Sequence, residues 1–293
     1  MIRGIFLCLL YCFYGLVLIV ALLFIFFPRD RFLLWAAGRV EQELPGFECR
    51  IEEVRYEHPF KLRFNQMILE NQSERISLPI DTLLAGFEKK WPIENLHVSA
   101  VLYGGVLESD LMVTSDNNRI TLSNLSATSI RLQDAEFLQK RLDRQITGNL
   151  SITGKMVIIG GTDRGIEFAG KIKIDQFNTK LRRPVLGFSE LVFAQVVAVV
   201  NLDHTSIELT EGRYAGELID GNFAGSVMVQ EPWQESRIDI EGGVIPQDLL
   251  LERDPLVAEA AARLYREYRE EAIPCQIDGT VQEPRFKFGR KNS

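Results

Sequence analysis

Apolar and polar positions alternate in three different ways along the chain. From Ile5 to Phe27 there is no alternation at all: 23 residues pass without a charge, rich in Leu, Ile, Val and Phe. A helix rises about 1.5 Å per residue, so this run reaches roughly 35 Å, enough to cross a hydrocarbon core of about 30 Å with some tilt. Residues 1–28 are therefore expected to be a membrane anchor, with Ile5, Leu16 and Phe27 at its start, middle and end. Residues 29–45 read as a short amphipathic helix near the membrane. Leu33, Leu34, Ala37 and Val40 share a face, and Pro45-Gly46 stops it. From residue 46 to 293 the beat is mostly two, which predicts a β-rich domain.

Phe47, Cys49 and Ile51 alternate with Glu48, Arg50 and Glu52, and the beat slips after Glu53, the mark of a bulge. A second strand carries Leu62, Phe64 and Met67 to Leu69. Strands over 96–107 and 111–122 flank Gly- and Asp-rich turns, with Asp116-Asn117-Asn118 as a hairpin tip, and further strands are predicted over 145–159, 165–177, 191–200, 223–229, 237–241, 275–281 and 285–288. In the 165–177 strand, Ile166, Phe168, Ile172 and Ile174 fall on one face, opposite Glu167, Lys171 and Lys173. Residues 191–200 are apolar on both faces, as in a central strand covered on both sides. Helical spacing returns at 134–142 and again after Asp254-Pro255, a cap followed by proline at the first helical position, with Pro274 as the stop. A Gly-x-aliphatic-x-aliphatic pattern recurs from Gly148, Gly170 and Gly225. Glycine either opens a strand after a turn or marks a ladder of similar antiparallel strands in a long, curved sheet. The predicted fold class is mainly β with a few helices: one transmembrane helix, then a long, curved, largely antiparallel sheet, part of it covered by one amphipathic C-terminal helix.

Composition narrows the function classes. A net charge of −7 argues against nucleic acid as a partner, because that needs a basic face. A cleaved signal peptide fits poorly, since its apolar stretch is about 7–15 residues and ends at small residues, whereas this run ends Phe26-Phe27-Pro28-Arg29. Charge alone leans slightly towards a cytoplasmic body, with Arg3 before the anchor and Arg29, Arg31 and Arg39 after it. Cys49 and Cys275, near the two ends of the body, are a candidate disulfide. No metal or cofactor is expected, because no cysteines are spaced as CxxC and His58, His97 and His204 stand apart. The stretch from Gly148 to Lys155 imitates a phosphate loop. It has one residue too many between its glycines, Met156 in place of the magnesium-holding hydroxyl, and no helix after it. A Gly-x-Ser-x-Gly elbow is missing and the carboxylates are scattered, so no catalytic residue is nominated and the chain is read as not an enzyme.

Three stretches together carry a resemblance: the anchor ending Phe-Pro-Arg-Asp-Arg; Gly46-Phe47 through Leu69, with Tyr56-Glu57-His58-Pro59 between two strands; and the segment from Ile277 to Phe286. In these the chain resembles the type II secretion system protein N family and, more distantly, AsmA-like proteins. The resemblance implies a single-pass protein of the bacterial inner membrane with its body in the periplasm. It also implies a non-catalytic accessory role in type II protein secretion and contacts with other secretion subunits. The AsmA-like side implies the alternative, a lipid-binding or lipid-transfer module holding phospholipid in an apolar groove. Ile166, Phe168, Ile172 and Ile174 are the candidate lining, and membrane lipids surround the anchor in either case.

Overall fold

A computed structural model of the chain describes residues 14, 15, 18, 29–44, 46–57, 61–72, 76–87, 96–114, 119–159, 165–185, 188–253, 255–268 and 272–289. The anchor positions Ile5, Leu16 and Phe27 lie outside these. Among the described residues no helix is long and apolar enough to cross a membrane.

The body is one antiparallel sheet of 14 strands whose spatial order is the order of the sequence. The strands are β1 (Glu48–Glu57), β2 (Lys61–Asn71), β3 (Ile76–Phe87), β4 (Leu96–Leu102), β5 (Gly105–Thr114), β6 (Arg119–Arg131), β7 (Ile146–Ile159), β8 (Gly165–Val185), β9 (Phe188–Leu202), β10 (Ser206–Ala215), β11 (Ile219–Met228), β12 (Arg237–Pro246), β13 (Ile273–Thr280) and β14 (Pro284–Phe288). Among the described residues four α-helices of six residues or more accompany it: α1 (Arg29–Glu43), α2 (Glu136–Leu142), α3 (Asp248–Arg253) and α4 (Pro255–Tyr268). The sheet is open, with β1 and β14 as its outer strands. With about 4.8 Å between neighbours, 14 strands extend roughly 60 Å across the sheet.

Bulges shape the sheet. β6 carries one extra residue against its neighbours twice, at Asn124 and Ser129; β8 carries one at Gln176 and β10 one at Glu211. Each of these four residues sits at positive φ, between 51° and 58°. An extra residue would ordinarily flip every later side chain to the other face. Here it holds Leu125, Ala127 and Ile130 on one side despite their uneven spacing, and all three are buried. Bulges also bend a strand and raise its local twist. The slip expected after Glu53 takes another form. Both β1 and β2 switch faces together, with Gln66 at φ 52°, so Ile51↔Met67 and Val54↔Phe64 stay in one register. Left-handed backbone costs a non-glycine residue about 1–2 kcal/mol. Gln176→Gly is therefore expected to raise stability by about 1 kcal/mol net of its unfolded-state entropy, and Gln176→Val to lower it, both readable by thermal melting.

Several sequence expectations need correction. Residues 96–107 are a hairpin, not one strand: Tyr103 and Gly104 both take positive φ (48° and 72°), as a two-residue turn matching the sheet twist requires. The Tyr103 hydroxyl donates to the Ser77 carbonyl at 3.1 Å, which fixes that turn against β3. The recurrent glycines do not open strands. Gly148, Gly170 and Gly225 lie inside β7, β8 and β11. β9 is central but not covered on both sides, and Val192 is 54% exposed. Val197 and Val199 are apolar on the polar face because they lie opposite Lys173, Lys171 and Arg213, whose aliphatic stems shield them. In α1 the sheet-facing side is Phe32, Leu33 and Ala36, packed on Val54 and Phe64, while Leu34 is 76% exposed. Phe32 stacking on Phe64 at 6.2 Å sets that rotation of the helix. The C-terminal helix is as expected: α4 begins at Pro255 and covers part of the sheet, at β13.

Candidate functional site

The apolar face of β5–β11 is built row by row from the strand registers. Met156, Phe168, Leu202 and Ile207 lie side by side across four strands. Ile152, Ile172 and Ala198 make a second row, and Leu150, Ile174, Val196 and Tyr214 a third. Leu125, Phe168, Ala198 and Val200 form its buried centre, ringed by half-buried side chains from β5 to β11. The reverse face is polar, with Thr153 beside Lys171, Ser151 beside Lys173, and Asp175 beside Gln195.

Glycines and aromatic rings interlock on the apolar face. Gly154 and Gly170 are cross-strand partners, so two backbones approach without side chains between them. The Phe168 ring fills the space over Gly170, where a Cβ would come within 2.7 Å of it. Phe223 likewise lies over its partner Gly212, and Tyr214 over its partner Gly221. Phe177, Phe193, Tyr214 and Phe223 continue as an aromatic line with centroids 5.1–6.4 Å apart. The Tyr214 hydroxyl donates to the Gly243 carbonyl at 3.1 Å. Burial, then Cys275 and Asp220, push its pKa well above the ordinary tyrosine range.

Helices reach this face only at its margins. α2 turns Phe137 and Leu138 onto the Tyr103, Ala127 and Ile130 cluster, which Leu150 and Ile152 also join. Among the described residues the helices pack chiefly on β1, β3 and β13, which leaves the middle strands without a second layer. The four sequence-predicted lining residues do share this face, but unequally. Phe168 is buried in the packed centre, Ile172 and Ile174 are half-buried, and Ile166 is 47% exposed. The sequence reading missed Met156, Leu202, Leu209 and Phe223. Their signal was cross-strand registration, which one strand's alternation does not reveal. A shallow depression beside the face, lined by Val192, Phe193, Leu218 and Ile219, opens to solvent.

Among the described residues, polar groups cluster around two of the histidines. The histidines do not all stand apart: His97 Nδ1 lies 3.0 Å from Asp110 Oδ1, and His204 Nε2 lies 3.9 Å from Glu167 Oε1. His58 lies outside the described residues. Asn124 donates to the other Asp110 oxygen at 2.9 Å. The nearby Ser109 and Ser123 hydroxyls donate to the backbone carbonyls of Ser123 and Asp110, so neither is presented to His97 as a nucleophile. Among the described residues no three potential metal ligands converge. The phosphate-loop lookalike from Gly148 to Lys155 lies wholly within β7, paired on both sides.

Cys49 and Cys275 are free and buried, on β1 and β13, not joined as a disulfide. Twelve strand positions separate them in the sheet order. Burial pushes both thiols up to about 11, helped at Cys49 by the Glu41 carboxylate. Both are therefore protonated at neutral pH and poor nucleophiles. An alkylating reagent at neutral pH is expected to label neither in the folded chain and both after denaturation. The sign for stability follows. Between pH 9 and about 11 the unfolded chain loses these protons while the folded chain keeps them. The contribution of these two thiols to stability is thus constant below about pH 9 and is lost above it.

No family model, no curated protein and no solved structure matches this chain.

Proposed function

We propose that this chain is a non-catalytic component of a bacterial cell envelope, tethered by residues 1–28 to the inner membrane with its body in the periplasm, and that its sheet holds phospholipid acyl chains along the apolar face of β5–β11. The observation that carries this reading is an apolar face spanning seven strands whose middle, among the described residues, has no second layer. Half-buried apolar side chains around a buried centre, with no helix laid across them among the described residues, suit an interaction site. Its lining is aliphatic and aromatic, and its polar groups lie on the reverse face, which suits hydrocarbon rather than a charged ligand. Because the sheet extends roughly 60 Å from β1, the strand next to the tether, hydrocarbon on this face is led away from the membrane. Purified full chain, washed through successive detergents and extracted with organic solvent, is expected to yield phospholipid in stoichiometric amount. A clean extract from a folded sample overturns the reading.

A second reading, an accessory role in type II secretion, is favoured by the open edges. β14 presents an unpaired edge to which a strand of another subunit can add. At the other edge the site is partly occupied, since the Glu41 carboxylate accepts the outward Cys49 N–H at 3.0 Å. Crosslinking from β14 in the native envelope recovers secretion subunits if this role holds and none if it does not.

A further inference from the structure

Helix α1 has two dissimilar faces. Phe32, Leu33 and Ala36 press onto β1 and β2. On the opposite side, Arg31, Leu34, Trp35, Gly38, Arg39 and Gln42 line up at helical spacing. Leu34 is 76% exposed and Trp35 61% exposed, two of the largest exposed hydrophobic side chains in the protein. Arg31 lies within this outward face, with Arg39 flanking it on one side and Asp30 and Glu41 on the other. Glu41 is engaged with the Cys49 N–H, which leaves the arginines to meet a surface. The 23-residue uncharged run ends at Phe27, two residues before α1 begins. α1 starts beside the far end of β1: Phe32 stacks on Phe64, and the charge of Arg29 reaches Glu53.

We propose that α1 is an interfacial helix: its outward face, Leu34 and Trp35 flanked by Arg31 and Arg39, lies in the headgroup layer of an anionic bilayer while its inner face clamps β1–β2. Tryptophan and leucine at the acyl boundary with arginines among phosphates is the chemistry of that layer. The bilayer is the occupant because the apolar run delivers α1 to its surface and the charge is complementary. The consequence is mechanical. A helix fixed on both sides holds β1 against the membrane, so the sheet does not swing freely about Pro28. This inference rests on the proposed tether at residues 1–28 but not on what the sheet itself binds.

The test uses the full chain with Trp91→Phe and Trp233→Phe, which leaves Trp35 as the one tryptophan, in vesicles of phosphatidylcholine and phosphatidylglycerol. Lipids brominated near the top of the acyl chain are expected to quench Trp35 several-fold more strongly than lipids brominated near the methyl end. Arg31→Glu with Arg39→Glu, both exposed and remote from the sheet, is expected to lose most of that quenching without changing the circular dichroism of the sheet. Quenching strongest from the methyl end would make α1 a continuation of the span and overturns the proposal. Trp35 quenched by aqueous acrylamide but by neither lipid overturns it too.

Discussion

Gly170→Val is expected to lower the melting temperature of the sheet by roughly 6–12 °C. The reason is local and steric. A Cβ at Gly170 collides with the Thr153 backbone oxygen and the Gly154 Cα of the partner strand, and lies 2.7 Å from the Phe168 ring. The ring can turn away, but the backbone of β7 cannot without breaking its ladder to β6 and β8. Overpacking costs about 1–3 kcal/mol where side chains can yield, and a collision with backbone belongs at or above the top of that range. In a chain of this size about 3 kcal/mol lowers the melting temperature by roughly 6–12 °C. Gly154→Val should do the same, because Gly154 faces Gly170 and its own Cβ would meet the Ala169 carbonyl. Gly38→Ala is the contrast. A Cβ there meets nothing within 4 Å, and inside α1 it should gain about 0.5–1 kcal/mol. Melting followed by circular dichroism reads all three. If Gly170→Val melts like the parent chain, the close approach of β7 and β8 is wrong.

Much of this architecture was legible where alternation ran unbroken. Ile166, Phe168, Ile172 and Ile174 announce one face of β8 without help from any neighbour. Pro255 marks the start of α4 correctly. Legibility failed wherever the backbone left the simple two-residue beat. β10 reads as polar and irregular because Glu211 is an extra residue that shifts the pattern midway. β3 was hidden by Pro79 inside its pairing. Tyr103 looks like another strand residue, since nothing local shows that its ring is buried against Ala127 and Ile130 while its backbone turns. The glycines were misplaced for a related reason. Their role is set by the close approach of the next strand, the Thr153 carbonyl at Gly170, the Asp239 carbonyl at Gly225 and the Ile174 side chain at Gly148, which one strand's alternation does not record. The rotation of α1 turned on one stacking partner, Phe64, which lies beyond the reach of helical periodicity.

The second large effect concerns the face itself. Ile174→Glu combined with Leu209→Glu is expected to abolish phospholipid retention while the sheet remains folded. Both side chains are half-buried, so a carboxylate there can reach water and the folding penalty is moderate. For an acyl chain the same carboxylates are prohibitive, because the hydrocarbon would have to lie against charges that it cannot solvate. Retained phospholipid should fall from stoichiometric to background. Lys171→Glu with Lys173→Glu, on the reverse face of the same strand, should leave retention unchanged, although Lys173 loses its 2.9 Å pair with Asp175. If both double variants lose lipid equally, association is electrostatic or follows the anchor, and the apolar face has no part in it.

The most direct measurement compares two adjacent positions on β8 in the living envelope. A photoreactive amino acid replaces Ile172 in one strain and Lys171 in another, so the two reactive groups point to opposite faces of the same strand. After illumination, mass spectrometry of the purified chain is expected to find a covalent phospholipid adduct at 172 and none at 171. Adducts at both positions in equal yield, or none at 172, would contradict a sheet that carries hydrocarbon on one open side.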